Sequence, residues 1–96
     1  MSEYKQLESI KKTYAILLFL SDQVGLVSGA EISQALNISQ ATVMSHLVTW
    51  EELDVVVRQE NLYGLGMGVA LLWTRKKRQL EAKAEQINKE IKKLEG

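Results

Sequence analysis

The 96-residue chain has no cysteine, no proline, one histidine and no net charge. The missing cysteines exclude disulfides and thiolate metal sites. With His46 as the single imidazole, a zinc site of ordinary composition cannot be assembled. No loop spaces oxygen ligands as a calcium site requires, so neither a metal nor another cofactor is expected. Long apolar runs are also missing. The longest, residues 15–20, is far too short to cross a bilayer, and no membrane partner is expected. Residues 1–4 lack the basic segment, apolar stretch and small-residue cleavage site of a secretion signal, which points to a cytoplasmic protein. Catalytic constellations are missing as well. There is no nucleophile–base pair, no glycine-rich phosphate loop ending in Lys-Ser or Lys-Thr, and no carboxylate pair beyond Glu51-Glu52, which reads as a charged helix end. An enzyme is not expected, and no catalytic residue is assigned.

What is present suits one globular domain: 46% of residues are apolar, and the length leaves room for a single core. The charge is unevenly spread. Residues 29–54 carry four acidic side chains and no Lys or Arg, whereas residues 75–96 carry eight basic and four acidic ones, led by Arg75-Lys76-Lys77-Arg78.

The order of elements follows from periodicity and caps. Leu7, Ile10, Tyr14, Leu17 and Leu18 recur at helical steps and predict a first helix over about residues 5–20. Leu26 and Val27 suggest a very short strand. Ser28 followed by Glu31 fits a capping box, with the Ser28 hydroxyl accepting from the Glu31 N–H and the Glu31 carboxylate reaching back to the Ser28 N–H. A short helix to Leu36 follows, with Ile32, Ala35 and Leu36 inward. Asn37 tolerates the left-handed conformation that closes a helix, and Ser39 serves as the next N-cap. A third helix over about residues 40–53 buries Val43, Leu47, Trp50 and Leu53 and turns Gln40, Thr42, Ser45, His46 and Thr49 outward. Residues 55–59, opened by the β-branched Val55, Val56 and Val57, predict a strand. The alternating Gly64, Gly66 and Gly68 predict a loose turn over residues 61–68, and residues 69–74 a returning strand that ends at a buried Trp73. A last helix is expected over residues 75–94.

Helix, strand, helix, helix, hairpin, helix is the winged-helix order. The stretch Ile32-Ser33-Gln34-Ala35-Leu36-Asn37-Ile38-Ser39-Gln40-Ala41-Thr42-Val43-Met44-Ser45-His46-Leu47 is similar to the helix-turn-helix of MarR- and ArsR-type transcription regulators. The likeness continues through Leu53-Asp54-Val55-Val56-Val57-Arg58. Glycine is usual in those families where Asn37 and Asp54 stand here, and both residues can take the same backbone geometry. Small dimeric winged-helix proteins of archaeal viruses and plasmids share the build. The resemblance implies a mainly α fold with a small β-hairpin, the winged helix-turn-helix in residues 1–74 and a C-terminal amphipathic dimerisation helix in residues 75–96 packed on the same domain. It implies that the third helix enters the major groove of double-stranded DNA with its N-terminal residues on base edges. Ser39, Gln40, Ala41, Thr42, Ser45, His46 and Thr49 would then face DNA. Arg58 at the hairpin base and the Arg75, Lys76, Lys77 and Arg78 cluster would supply the phosphate contacts that the helix-turn-helix lacks. With the last helix starting at residue 75, that cluster would sit at the positive end of the helix dipole, a mild cost that suggests a use in phosphate binding.

Leu80, Ala84, Ile87, Ile91 and Leu94 follow heptad spacing. A seam this narrow needs a partner. Packing on the first helix and pairing with a second copy are both open, the latter joined by Leu7, Ile10 and Tyr14. In an antiparallel pair Lys83 would oppose the partner's Glu90, whereas a parallel pair would oppose Glu90 and Glu95. Two functional readings remain: a homodimeric regulator bound to a pseudo-palindromic duplex, and a winged-helix protein-interaction module. Metal sensing of the ArsR type lacks its ligands here, and no small-molecule effector is expected.

Overall fold

The computed structural model describes residues 3–96. The reading of the N-terminus as free of a secretion signal falls partly on residues 1 and 2, outside the described residues. Seven elements form in the expected order: α1 (Glu8–Ser21), β1 (Val27–Ser28), α2 (Gly29–Leu36), α3 (Gln40–Glu52), β2 (Val56–Gln59), β3 (Leu62–Leu65) and α4 (Gly68–Glu95). The fold is mainly helical with a small antiparallel sheet of strand order β1-β3-β2.

The core lies where α1, α2 and α3 meet that sheet. Ile16 and Leu20 of α1, Ile32 of α2, Val43 and Leu47 of α3, and Val27, Val56 and Tyr63 of the strands form one buried cluster. Trp50 and Leu36 pack against it, half-buried. The α1 face that does this is not the one its periodicity suggested. Leu7, Ile10, Tyr14 and Leu18 are exposed, and the face carrying Ile16 and Leu20 is buried. The helix has two apolar faces about 145° apart, and a periodicity count cannot say which one meets the core.

Capping determines the helix-turn-helix. The Ser28 hydroxyl accepts from the Glu31 N–H at 3.1 Å. The return arm differs from expectation: the Ser28 hydroxyl itself donates to the Glu31 carboxylate at 3.3 Å. Asn37 closes α2 in the left-handed region at φ 55°, and the Ser33 hydroxyl donates to the Ile38 carbonyl across the turn. Ser39 then accepts from the Thr42 N–H at 3.2 Å and opens α3. Asp54, at φ 62°, turns the chain from α3 into the sheet.

The hairpin departs from the expected one. The returning strand is β3, residues 62–65, not residues 69–74. Val56 pairs with Leu65, Val57 with Gly64, Arg58 with Tyr63 and Gln59 with Leu62. This register closes the hairpin over Glu60 and Asn61, with Glu60 at φ 57°. The glycines therefore form no flexible tip. A Cβ on Gly66 would lie 2.6 Å from the Asp54 carbonyl oxygen, and the Gly66 N–H donates to the Val55 carbonyl at 2.8 Å. These residues let the chain pass close against the turn after α3.

Residues 69–74 belong to α4, which is continuous over 28 residues. Val69, Trp73 and Thr74 favour strands, but Ala70, Leu71 and Leu72 are good helix formers joined to a long run of them, and β3 already holds the position beside β2. Trp73 is consequently 74% exposed rather than buried. The boundary expected at residue 75 falls inside this helix. No residue of α4 is buried. The radius of gyration is 19.4 Å, against roughly 12–13 Å for a compact domain of this length. No helix among the described residues is long and apolar enough to cross a membrane.

Candidate nucleic-acid interface

The solvent-open side of α3 is the feature the helix-turn-helix is built to display. Burial of Val43 and Leu47 orients the helix, and Gln40, Ala41, Ser45, Val48, Thr49 and Glu52 lie exposed. Five of the residues singled out in the sequence thus meet solvent here or at the cap: Ser39, Gln40, Ala41, Ser45 and Thr49. Val48, omitted from the expected polar face because it is apolar, lies near the middle of it and is 57% exposed. Its position seven residues after Ala41 is the signal that could have found it.

Hydrogen bonding narrows what this face offers. Ser39 uses its hydroxyl twice in the cap, accepting from the Thr42 N–H and donating to Thr42 Oγ1 at 2.8 Å. The Thr49 hydroxyl donates to the Ser45 carbonyl at 2.8 Å, one helical turn back. Thr42 is half-buried. His46, also half-buried, lies on the flank toward α1, where its Nδ1 shares a hydrogen bond with Thr13 Oγ1. His46 therefore ties α3 to α1, and the two residues line a shallow cleft with Ser45, Thr49, Trp50 and Leu53.

The cations divide into two groups. Arg58, at the hairpin, is engaged: its Nε donates to the Glu51 carboxylate at 3.1 Å. The hairpin tip carries Glu60, so this wing presents an acidic tip where a basic one would assist DNA binding. Leu65 and Met67, inside the loose turn expected over residues 61–68, stand instead at the end of β3 and the passage into α4. Arg75, Lys76, Lys77 and Arg78 are exposed and form no ion pair among the described residues. Because α4 starts at Gly68, the cluster lies two turns in, away from the helix N-terminus. The dipole cost expected for it does not arise, and that argument for a phosphate role falls away. The four side chains also point in different directions: Lys76 and Lys77 share a surface with Trp73 and Leu80, which leaves Arg75 and Arg78 on the other side.

Two apolar surfaces remain open. One is the α1 face of Leu7, Ile10, Tyr14 and Leu18, and the other is the α4 seam of Leu80, Ala84, Ile87, Ile91 and Leu94. Extended backward by heptads, the seam continues through Trp73 and Ala70. A groove lined by Tyr14, Leu17, Leu18, Leu65, Val69 and Ala70 joins the start of α4 to α1.

Three helices against a three-stranded sheet, with α2 and α3 as the helix-turn-helix and β2–β3 as a short wing, define a winged helix-turn-helix fold. Among solved structures, the chain is similar to an IclR transcriptional regulator from Alicyclobacillus acidocaldarius, with 25% identity and a TM-score of 0.69 over 75% of this chain and 30% of that one. It is also similar to a single-site mutant of ZitR from Lactococcus lactis, with 25% identity and a TM-score of 0.50 over 93% of this chain and 65% of that one. The chain thus spans less than two thirds of the length of either protein. No protein-family model matches the sequence, and comparison with curated proteins finds no match.

Proposed function

We propose that the chain is a homodimeric transcription regulator, not an enzyme, that binds a pseudo-palindromic DNA duplex sequence-specifically with α3 in the major groove. The observation that carries this is the open face of α3, displayed on a fold shared with a transcription regulator. Gln40, Ala41, Ser45 and Thr49 would meet base edges. Ser39 and the first N–H groups of α3 would approach a phosphate. Arg75 and Arg78, and Arg58 once released from Glu51, would supply counter-charge.

Dimerisation is supported by surface arithmetic. The chain exposes 7941 Å², where a compact monomer of its mass would expose about 5,600 Å². The excess, on the order of 2,000 Å², is comparable to what obligate dimers bury. The seam on α4 and the exposed stripe on α1 are the apolar part of it. An antiparallel α4 pair opposes Lys83 with the partner's Glu90 and avoids the Glu90–Glu95 opposition of the parallel pair, each exposed contact being worth a few tenths of a kcal/mol.

The test is binding of the purified protein to labelled random-sequence duplex as a function of salt. The expected result is weak binding that falls linearly in log–log form with salt. No detectable binding at low salt would reject the proposal. A second reading, a protein-interaction module, is favoured by the acidic wing tip and the Glu51–Arg58 pair. Reversing the charges of Arg75, Lys76, Lys77 and Arg78 separates the two, because it abolishes DNA binding and leaves a protein contact through Leu65 and Met67 intact.

A further inference from the structure

We infer that α3 recognises its duplex through the C5-methyl groups of pyrimidines, thymine in ordinary DNA, with Val48 as the principal contact. The inference rests on the DNA-binding reading above and specifies the base chemistry it implies.

The exposed face of α3 is less polar in effect than in composition. Of its hydroxyls, Thr49 has committed its proton to the Ser45 carbonyl and Ser39 has spent its hydroxyl in the cap. What Thr49 still presents is an acceptor lone pair and a methyl group. His46 is engaged with Thr13. No Arg or Lys stands anywhere on the helix, so the bidentate contact that reads guanine in the major groove is unavailable. Glu52 accepts only, and its charge opposes approach of that end to phosphate. The hydrogen-bonding readers left are the Gln40 amide, suited to adenine, and the Ser45 hydroxyl. Between them the face is apolar. Ala41 and Val48 lie on one line of the helix with Ser45 between them, and Val48 is 57% exposed. In the major groove the apolar complement for such groups is the thymine methyl, which no other ordinary base carries. Ala41 and Val48 are about 10 Å apart along the axis, so the contacted pyrimidines are expected roughly three base pairs apart.

The test uses the full chain and the duplex recovered by selection from random sequences, which should be rich in A·T pairs. Replacing thymine by deoxyuridine throughout one half-site removes the methyls and keeps every hydrogen-bonding group. The expected loss is about fourfold for each methyl withdrawn from contact, the equivalent of one buried methyl. Substituting 5-methylcytosine for cytosine, where that substitution creates the methyl at a contacted position, should recover part of the loss. Val48→Ala, a change on the exposed face of a stable helix, should weaken binding to the thymine duplex and shrink the uracil penalty. A duplex that binds equally with thymine and uracil overturns the inference and leaves the regulator reading standing. An undiminished uracil penalty in Val48→Ala removes Val48 from the role and overturns it as well. Failure to recover any duplex overturns both.

Discussion

Single side chains decide the local geometry of the helix-turn-helix, and they divide into those the sequence declares and those it conceals. Ser39 is declared: a serine ahead of an apolar-periodic segment caps it, because its hydroxyl satisfies a helix N–H that has no other partner. Ser39→Ala should cost about 1 kcal/mol and lower Tm by roughly 5 °C, measured by thermal circular dichroism at fixed protein concentration. Asn37 and Asp54 are declared in the same way, since both take positive φ with little penalty. Thr49 and His46 are concealed. Both read as outward polar groups, yet one bonds back to its own helix and the other across to Thr13. Those partners are set by how α1 crosses α3, which no local pattern contains. Gly66 is legible in the sequence as a special position, but it is not a flexible one. Its role is close approach: a Cβ there would meet the Asp54 carbonyl oxygen, which is backbone and cannot move aside, whereas a Cβ on Gly64 would meet the end of the Leu26 side chain. Gly66→Ala should therefore destabilise by roughly 1–3 kcal/mol and Gly64→Ala by less. Urea denaturation of the two variants checks the order.

Elements that depend on local signals were recovered from the sequence, and those that depend on register were not. The helix-turn-helix emerged because its caps, turn and apolar steps lie within a few residues of one another. The wing did not, because its turn places Glu60 at φ 57°, a conformation that glutamate does not advertise, and because Val69 to Thr74 carry mixed preferences that tertiary context resolves. The consequence of the true hairpin is a wing whose charge is inverted. Its one cation, Arg58, is held by Glu51 at the end of α3, and its tip is acidic. That ion pair is exposed on both sides, so it contributes little to stability, but it withholds Arg58 from phosphate. Glu51→Gln should leave Tm nearly unchanged while strengthening duplex binding at low salt. The slope of log K against log salt should steepen by about one. An unchanged slope would place Arg58 away from DNA.

At the scale of the whole molecule, the chain is a compact winged helix with a long helix standing off it, and the two parts make different demands. The compact part has a closed core. The long part buries nothing: α4 extends over 28 residues with none of them buried, whereas most helical stability in proteins comes from packing of an amphipathic face. In the proposed dimer a second copy would cover it in matching form, since a two-fold pair presents the same apolar seam from both sides. Lys77 interrupts that seam between Trp73 and Leu80, as a polar residue at an inner heptad position does when it trades stability for register. The uninterrupted stretch from Leu80 to Leu94 should therefore dominate, and Ile87, at its middle, is the position to test. Ile87→Lys puts a charge in the seam from each copy. The expected outcome is a monomer by sedimentation equilibrium, reduced helix content by circular dichroism, and a melting temperature that does not rise with protein concentration as that of the proposed dimer would. Duplex affinity should fall by a hundredfold or more, on the order expected when two linked binding events become independent, although the face of α3 is untouched. If Ile87→Lys stays dimeric, the seam is not the interface, and the exposed stripe of Leu7, Ile10 and Tyr14 on α1 becomes the surface that must account for it.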